Sequence, residues 1–492
     1  MKQHPLLRLS SVFLAVSCLL LSSAHAQGDS QPVVLKWNFP GTAQKDLKVV
    51  QDAINAIIRT RIGATVDLQS IDWGSYEQKM DLTYASSQPC DLAFSANWIN
   101  NYVQHAAQGN FLALDDLLPK FSPKLYSTYP KEMWNALKVK GNIYGVPSYR
   151  NITNQFGFVA SKALADKYKL DLSKVNSYQD LTPFLDQIKK GEPGITPLYQ
   201  TSDYGSMPFQ TRQLGWDDVI EELVVVRYND DNLKAFNIYD TEEFKSAVEL
   251  NRKWYEAGYY PRDPKSVSDA DADLKAGRIA VRLDQWFPQT KSEYGRRFGI
   301  EFVGKSFNIP FLPQGGTSGF VTTICRTSKN PEKALKFIEL LHTDEQIFNL
   351  VAKGVQGRHW VWADQKKKVI RFPDGVTAAT NGYNFGTDWM FGNYLDLAYY
   401  NSAEEVEERR RLKEISSAAP VSKLYGFNFD ITPVRSEVAQ LRAIVGEYRA
   451  VFGGRVDPST KLPEMLSRLK QAGIEKVVAE AQRQIDRWKM QH

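Results

Sequence analysis

The chain has 492 residues, of which 43% are hydrophobic and 24% are charged, and its formal net charge is +5. These values are ordinary for a globular protein, and the length is sufficient for two or three domains with large cores. Basic and acidic residues are interspersed, which argues against a nucleic-acid-binding surface; the two basic runs, Lys366–Lys368 and Arg409–Arg411, are expected to be solvated faces.

The N-terminus has the pattern of a secretory signal peptide. Lys2 and Arg8 precede an apolar run of about 13 residues, which is too short for a membrane span of about 20. Small residues at positions 24 and 26 then predict cleavage after Ala26 and export to the periplasm. Lipid anchoring at Cys18 is the weaker alternative, because the residues before it make a poor lipobox.

Strand and helix patterns alternate through the first hundred mature residues. The predicted elements, in order, are a strand at 33–37, a helix at 46–59, a strand at 64–71, a helix at 76–85 and a buried strand at 91–94. Such alternation predicts an α/β layer with a largely parallel sheet. A further strand ends at Pro147, and there we expect the chain to cross into a second lobe.

Helices and one strand dominate the later chain. We predict helices at 180–190 and 241–257, an apolar strand at 278–283, and a helix that starts at Pro331 with proline in its first turn. The last hundred residues differ, because helical patterns at 436–452, 463–472 and 474–488 follow one another with few strands. They predict a C-terminal helical module.

Two cysteines, Cys90 and Cys325, remain after the predicted cleavage. The periplasm permits a disulfide between them, but two distant cysteines can equally be small buried hydrophobic residues, so their pairing is left open.

Catalytic and metal-binding signatures are missing from the sequence. The histidines do not form an H-E-x-x-H pair, and there is no G-x-S-x-G elbow or P-loop. The acidic run Asp269–Asp273 resembles the start of an EF-hand, but Leu274 stands where the loop needs glycine and Ala280 where it needs glutamate. We therefore expect no catalytic residues, no cofactor and no bound metal, and a polar turn at this run.

Three stretches of the sequence have recognisable motifs. They are Leu47–Tyr102, with Ile71-Asp72-Trp73-Gly74-Ser75-Tyr76; Ser328–Ala334 with Gly354–Trp360; and Gly426–Asp430 with Ala472–Trp488. With these stretches the chain resembles the family 1 extracellular solute-binding proteins, the sugar-binding components of ABC importers, and within them the lipoprotein-like subgroup with a DUF3502-type C-terminus. Gln356 and Trp360 depart from the subgroup, which usually has glutamate and tyrosine there.

The resemblance implies a type II periplasmic-binding-protein fold, with two α/β lobes around a hinge and ligand cleft, and a C-terminal helical module. Lobe 1 would comprise 27–147 and about 280–325, lobe 2 would comprise 148–279 and about 326–424, and the module 425–492. The resemblance further implies a monomeric, non-catalytic protein that binds a carbohydrate and delivers it to ABC transporter permease subunits.

Aromatic residues placed beside polar or turn-forming residues are the candidates for binding a sugar. An aromatic ring covers the apolar face of a pyranose, while planar polar side chains bond its hydroxyls. Trp98 and Trp286 follow strands predicted to end at the cleft, and Asp284 accompanies Trp286. The other candidates come from the first loop, the hinge, the second lobe and the C-terminal part: Trp37, Asn38, Tyr149, Arg150, Tyr204, Arg212, Trp216, Arg358, Trp360 and Trp389, with Asn381 and Tyr383 as further possible cleft-wall residues.

Three alternatives stay open at this point. Arg150, Arg212, Arg282 and Arg358 could serve an anionic solute, which a cleft rich in arginine and poor in aromatic rings would favour. A secreted carbohydrate-active enzyme would need two carboxyl groups at a separation that sequence does not reveal. A sensory role would use the C-terminal helices to contact a partner, and deletion after about Leu424 would test it.

Overall fold

The computed structural model describes residues 32–202 and 213–490. The predicted signal peptide and two site candidates, Tyr204 and Arg212, lie outside the described residues. Within the described ranges, no helix is both long and apolar enough to cross a bilayer.

The first lobe is built on a five-stranded sheet whose spatial order is Ala64–Ile71, Val33–Pro40, Leu92–Ser95, Val321–Ile324, Gly145–Pro147. The first three strands are parallel, as the alternating pattern predicts, and Val321–Ile324 runs antiparallel to both of its neighbours. One large apolar core joins this sheet to the helices Leu47–Ile62, Tyr76–Ala85, Pro331–Thr343 and Glu345–Lys353.

The second lobe is built on a four-stranded sheet in the order Phe302–Ser306, Phe156–Ser161, Ile279–Gln285, Thr196–Leu198. Its helices are Lys162–Lys167, Thr182–Gly191, Glu242–Glu256, Val267–Lys275 and Thr290–Phe298. The chain crosses between the two sheets at 148–155 and again at 307–320, so the expected crossing near Pro147 lies at the start of the first connection.

The C-terminal helices share one core with a small third sheet. The antiparallel strands Trp216–Ile220, Val224–Arg227 and Phe236–Asn237 pack with the helices Arg435–Glu447, Arg449–Phe452, Pro458–Gln471 and Ile474–Lys489. Because Leu441, Met465 and Ile485 are fully buried in this joint core, the helices are packed into the body of the protein.

Further elements complete the described part of the fold. Its other α-helices are Tyr102–Ala107, Leu117–Phe121, Pro123–Thr128, Lys131–Ala136, Tyr394–Leu397 and Ala403–Ala418. Two small hairpins pair Lys138–Val139 with Asn142–Ile143, and Val361–Asp364 with Val369–Arg371.

The predicted lobe boundaries differ from the observed sheets at two places. Residues 280–325 are expected in lobe 1, yet the strands Ile279–Gln285 and Phe302–Ser306 belong to the second sheet. Residues 326–424 are expected in lobe 2, yet helix Pro331–Thr343 buries its apolar face in the first core. An apolar strand or helix carries no mark of which sheet it joins, so sequence order alone misplaced them.

Two charged segments also differ from expectation. Arg409 is buried: its guanidinium pairs with the buried Glu405 and lies 4.8 Å from the ring of Tyr394. The run Asp269–Asp273 lies within helix Val267–Lys275, although a polar turn is expected there.

Cys90 and Cys325 form a disulfide, with their Cα atoms 5.7 Å apart. They flank a pair of antiparallel strands in which Leu92 lies opposite Ile324, and this register brings the two cysteines together. A bond that closes so long a loop is expected to stabilise the fold by about 2–5 kcal/mol, chiefly by restricting the unfolded chain.

Candidate ligand-binding cavity

A cavity of about 320 Å³ lies where the chain crosses between the lobes. Its walls come from the loop after strand Leu92–Ser95, both crossing segments, the end of strand Ile279–Gln285 and the start of strand Trp216–Ile220. Residues far apart in the sequence therefore face the same space, at the kind of inter-lobe position where ligand sites are commonly found.

The first-lobe wall is aromatic. The rings of Trp98 and Trp389 lie 6.3 Å apart between centroids, and Phe320 lies 6.2 and 5.3 Å from them. The indole N–H of Trp98 donates to the carbonyl of Gly319 at 2.9 Å, which fixes the ring's orientation. All three rings are only partly buried, so the wall offers apolar surface to a ligand.

Arg150 projects from the first crossing into the same wall. Its guanidinium carbon lies 4.1 Å from the ring centroid of Phe320 and 5.3 Å from that of Trp389, within the range of cation–π attraction. Burial lowers the pKa of Arg150 to about 10, so it remains charged at neutral pH. Its Nε atom has no hydrogen-bond partner among the described residues.

The second-lobe wall carries charges that are paired with one another. Arg282 Nε lies 2.6 Å from Asp284 Oδ2, and Tyr294 donates its hydroxyl to the same carboxylate. Burial opposes the charge of Arg282, but Asp284 and the other nearby acidic groups raise its pKa well above the usual value. Arg297 forms an ion pair with Asp271 at 2.6 Å. Both arginines of this wall are therefore neutralised by neighbouring carboxylates.

Two carboxyl groups, the buried Asp217 and the half-buried Glu293, also line the cavity. Asp217 accepts a hydrogen bond from the backbone N–H of Gln314 at 2.7 Å, and Glu293 accepts one from the hydroxyl of Tyr394. Burial is the main cause that raises the pKa of each carboxyl to about 7. Near neutral pH each group is therefore partly protonated and can donate or accept a hydrogen bond.

The comparisons with known proteins agree with this architecture. Residues 48–347, more than half of the chain, match the family described as bacterial extracellular solute-binding protein. The chain belongs to this family. Residues 423–490 match a domain of unknown function, DUF3502. The resemblance noted in the sequence is thereby confirmed.

Individual relatives come from Streptococcus pneumoniae. A carbohydrate ABC transporter substrate-binding protein of serotype 4 is 28% identical over 477 residues, covering 94% of this chain and 92% of its own. The N-glycan transport solute binding protein in complex with Man1GlcNAc is 28% identical, with a TM-score of 0.81 over 92% of this chain and 99% of its own. Its complex with Man5GlcNAc gives a TM-score of 0.80 over 93% and 98%. These similarities confirm the predicted fold class.

In this solute-binding protein, five of the predicted site residues line the cavity. They come from five separate segments: Trp98, Arg150, Trp216, Asp284 and Trp389. Sequence reasoning missed Phe320, Asp217 and Glu293. Asp217 directly follows a predicted residue, whereas Glu293 lies on an ordinary polar helix and carries no local signal.

Trp286, Trp37 and Asn38 do not line the cavity. Trp286 packs on strand Phe302–Ser306, where a Cβ added to Gly304 would lie 2.5 Å from its ring. Trp37 is 1% exposed and packs among phenylalanine rings of the first core, and Asn38 is buried beside it. The prediction ended this strand at Trp37, but the strand continues to Pro40, so both residues lie inside the sheet.

Tyr149, Arg358 and Trp360 also lie away from the cavity lining. Tyr149 packs 5.2 Å from the ring of Tyr129. Arg358 forms a bidentate ion pair with Asp46, with both N–O distances at 2.9 Å, and is otherwise exposed. Trp360 is buried in a small separate core, where its indole N–H donates to the carbonyl of Gly354.

The two further cleft-wall candidates do not line this cavity, although Tyr383 lines a smaller pocket that shares Trp389 and Tyr394 with it. Asn381 donates to the carbonyl of His359, and Tyr383 is buried and donates to the carbonyl of Val351. Among the residues that the structure describes, no three acidic, histidine or cysteine side chains cluster in a way that could hold a metal ion.

Proposed function

We propose that this protein binds a carbohydrate in the inter-lobe cavity and delivers it to the membrane subunits of an ABC importer. The observation that carries the proposal is the aromatic wall formed by Trp98, Trp389 and Phe320, in a cavity that is also lined by the hydrogen-bonding groups of Arg150, which lies against this wall, and of Asp284. Partly exposed rings suit the C–H face of a pyranose, and charged groups make strong hydrogen bonds to its hydroxyls. The names of the relatives from Streptococcus pneumoniae support the same ligand class.

A neutral glycan is favoured over an anionic solute. An anion-binding cleft would present several uncompensated arginines and few aromatic rings. Here Arg282 and Arg297 are paired with Asp284 and Asp271, and aromatic rings form one whole wall. Arg150 would then act chiefly as a donor to ligand oxygens.

The rest of the mechanism follows from the two-lobe design. We propose that the protein is exported to the periplasm after cleavage behind Ala26, acts as a monomer, and releases the sugar unchanged. The lobes would be the two sheets with their helices, joined at 148–155 and 307–320, with the C-terminal helices attached to the second lobe. Ligand favours the closed form only by binding it more tightly than the open form.

Calorimetric titration of the mature protein against a glycan panel tests the proposal. The panel includes Man1GlcNAc, Man5GlcNAc and a uronic-acid oligosaccharide, and the mixtures are assayed in parallel for hydrolysis. Saturable binding of a neutral glycan without turnover is the expected result. Turnover, or binding confined to non-carbohydrate solutes, would contradict it.

A further inference from the structure

Trp73 continues the aromatic wall beyond the cavity. Its ring stacks on Trp98 with centroids 6.1 Å apart and an interplanar angle of 19°, and it lies 6.3 Å from Trp389. Trp98 and Trp389 line the cavity, whereas Trp73 does not. Like them, it is only partly buried against the first core. Three clustered, partly exposed tryptophans form a surface of the kind that marks a binding site.

Trp73 lies where the two lobes meet. It belongs to the short loop between strand Ala64–Ile71 and helix Tyr76–Ala85. Its neighbour Asp72 accepts a hydrogen bond at 3.3 Å from the hydroxyl of Ser268, which lies on helix Val267–Lys275 of the second lobe. The loop that carries Trp73 therefore lies at the boundary between the two lobes.

The loop also holds the ring in a fixed place. The Asp72 carboxylate accepts from the backbone N–H of Gly74 at 2.9 Å, and the Asp72 carbonyl accepts from the N–H of Ser75 at 3.0 Å. This turn chemistry fixes the backbone on both sides of Trp73. A ring that is already in position loses little conformational entropy when a ligand stacks on it.

We infer that Trp73 is an outer binding position and that the physiological ligand is an oligosaccharide. Its inner part would occupy the cavity against Trp98 and Trp389, and its outer part would stack on Trp73. This inference rests on the proposed carbohydrate function and adds the ligand's size and the position of its outer end. The rings of Trp73, Trp98 and Trp389, with centroids 6.1–6.3 Å apart, form one apolar surface on which successive sugar rings can lie.

Two glycans that share one end and differ in length test the inference, and Man1GlcNAc with Man5GlcNAc is such a pair. Titration calorimetry compares the mature wild type with Trp73→Ala, Trp73→Phe and Trp98→Ala. Trp73→Ala should weaken the longer glycan about 3- to 10-fold and leave the shorter one within about 2-fold, because it removes only one stacking contact. Trp73→Phe should restore most of the loss, and Trp98→Ala should weaken both glycans.

Each other outcome overturns the inference. Equal weakening of both glycans by Trp73→Ala would mean that the ring only supports Trp98, and no weakening would mean that the ligand does not reach it. Thermal unfolding of each variant shows whether a loss of affinity comes from misfolding. If Trp73→Ala is misfolded, the affinities of Trp73→Phe for the two glycans decide whether Trp73 binds the longer one. If the wild type binds no glycan of any length, the proposed function itself fails.

Discussion

Trp98 and Trp286 both follow strands and were both expected in the site, yet they face different neighbours. Trp98 shares the cavity wall with Trp389, whereas Trp286 packs against Gly304 of strand Phe302–Ser306, two strands away in the sheet. Trp98→Ala should therefore lower ligand affinity about 10-fold or more. Trp286→Ala should lower the free energy of unfolding by about 2 kcal/mol and leave affinity nearly unchanged.

Calorimetric titration and chemical denaturation of both variants check this pair. Each variant serves as the control for the other, since both remove an indole ring. A loss of affinity in Trp286→Ala without a loss in Trp98→Ala would reverse the assignment of these two residues.

Asp217 should give the stability of the unliganded protein a pH dependence. Burial raises its pKa to about 7 from about 3.8, so between these values the folded state binds more protons than the unfolded state. Stability from this residue is therefore present at low pH and is lost as pH rises toward 7. Asp217→Asn, which cannot ionise, should be more stable than wild type at pH 8 by up to about 4 kcal/mol, and similar to it near pH 4.

Denaturant unfolding of the two proteins at several pH values measures that difference. Subtracting the variant's free energy of unfolding from that of the wild type cancels the contributions of the other titrating groups. One of these is Glu293, whose pKa is also raised. A constant difference from pH 4 to 8 would show that Asp217 does not titrate in this range.

Most elements could be predicted from periodicity, but the assembly of the site could not. The predicted helices at 241–257 and 474–488 agree with Glu242–Glu256 and Ile474–Lys489 to within a residue or so, because each has one apolar stripe. The cavity combines residues from six distant segments of the chain. Which side chains at the end of a strand face the cavity depends on how the strands pair in the sheet. Trp37 is an example. The sequence pattern predicts a strand that ends at Trp37, but the strand extends three residues further, to Pro40, and Trp37 therefore lies in the core.

The C-terminal helices should be indispensable for folding. Phe427, Leu441 and Ile485 are buried in the same core as Val225 and Phe244 of the chain before the C-terminal region. Burial of each such side chain contributes about 1.5–3 kcal/mol, so removing a dozen of them exceeds the usual total stability of about 5–15 kcal/mol.

Truncation after Leu424 is therefore expected to give unfolded or aggregated protein, as judged by circular dichroism and gel filtration. Truncation after Lys489, where the last helix ends, is the matched control and should leave the unfolding midpoint unchanged. A folded, ligand-binding truncation product would instead favour an independent C-terminal module with a partner of its own.

At the scale of the whole molecule, ligand should close the lobes and stabilise the protein together. The cavity wall is divided between the two sheets, and Asp72 touches Ser268 across the cleft mouth. A ligand that contacts both sides makes its full set of contacts only in the closed form.

At a concentration 100 times its Kd, the ligand should raise the free energy of unfolding by about 2.7 kcal/mol. Small-angle scattering should show a smaller radius of gyration at the same concentration, and Trp98→Ala should need more ligand for both effects. Stabilisation without compaction would point to a rigid cleft, because differential affinity for the closed form is what drives closure.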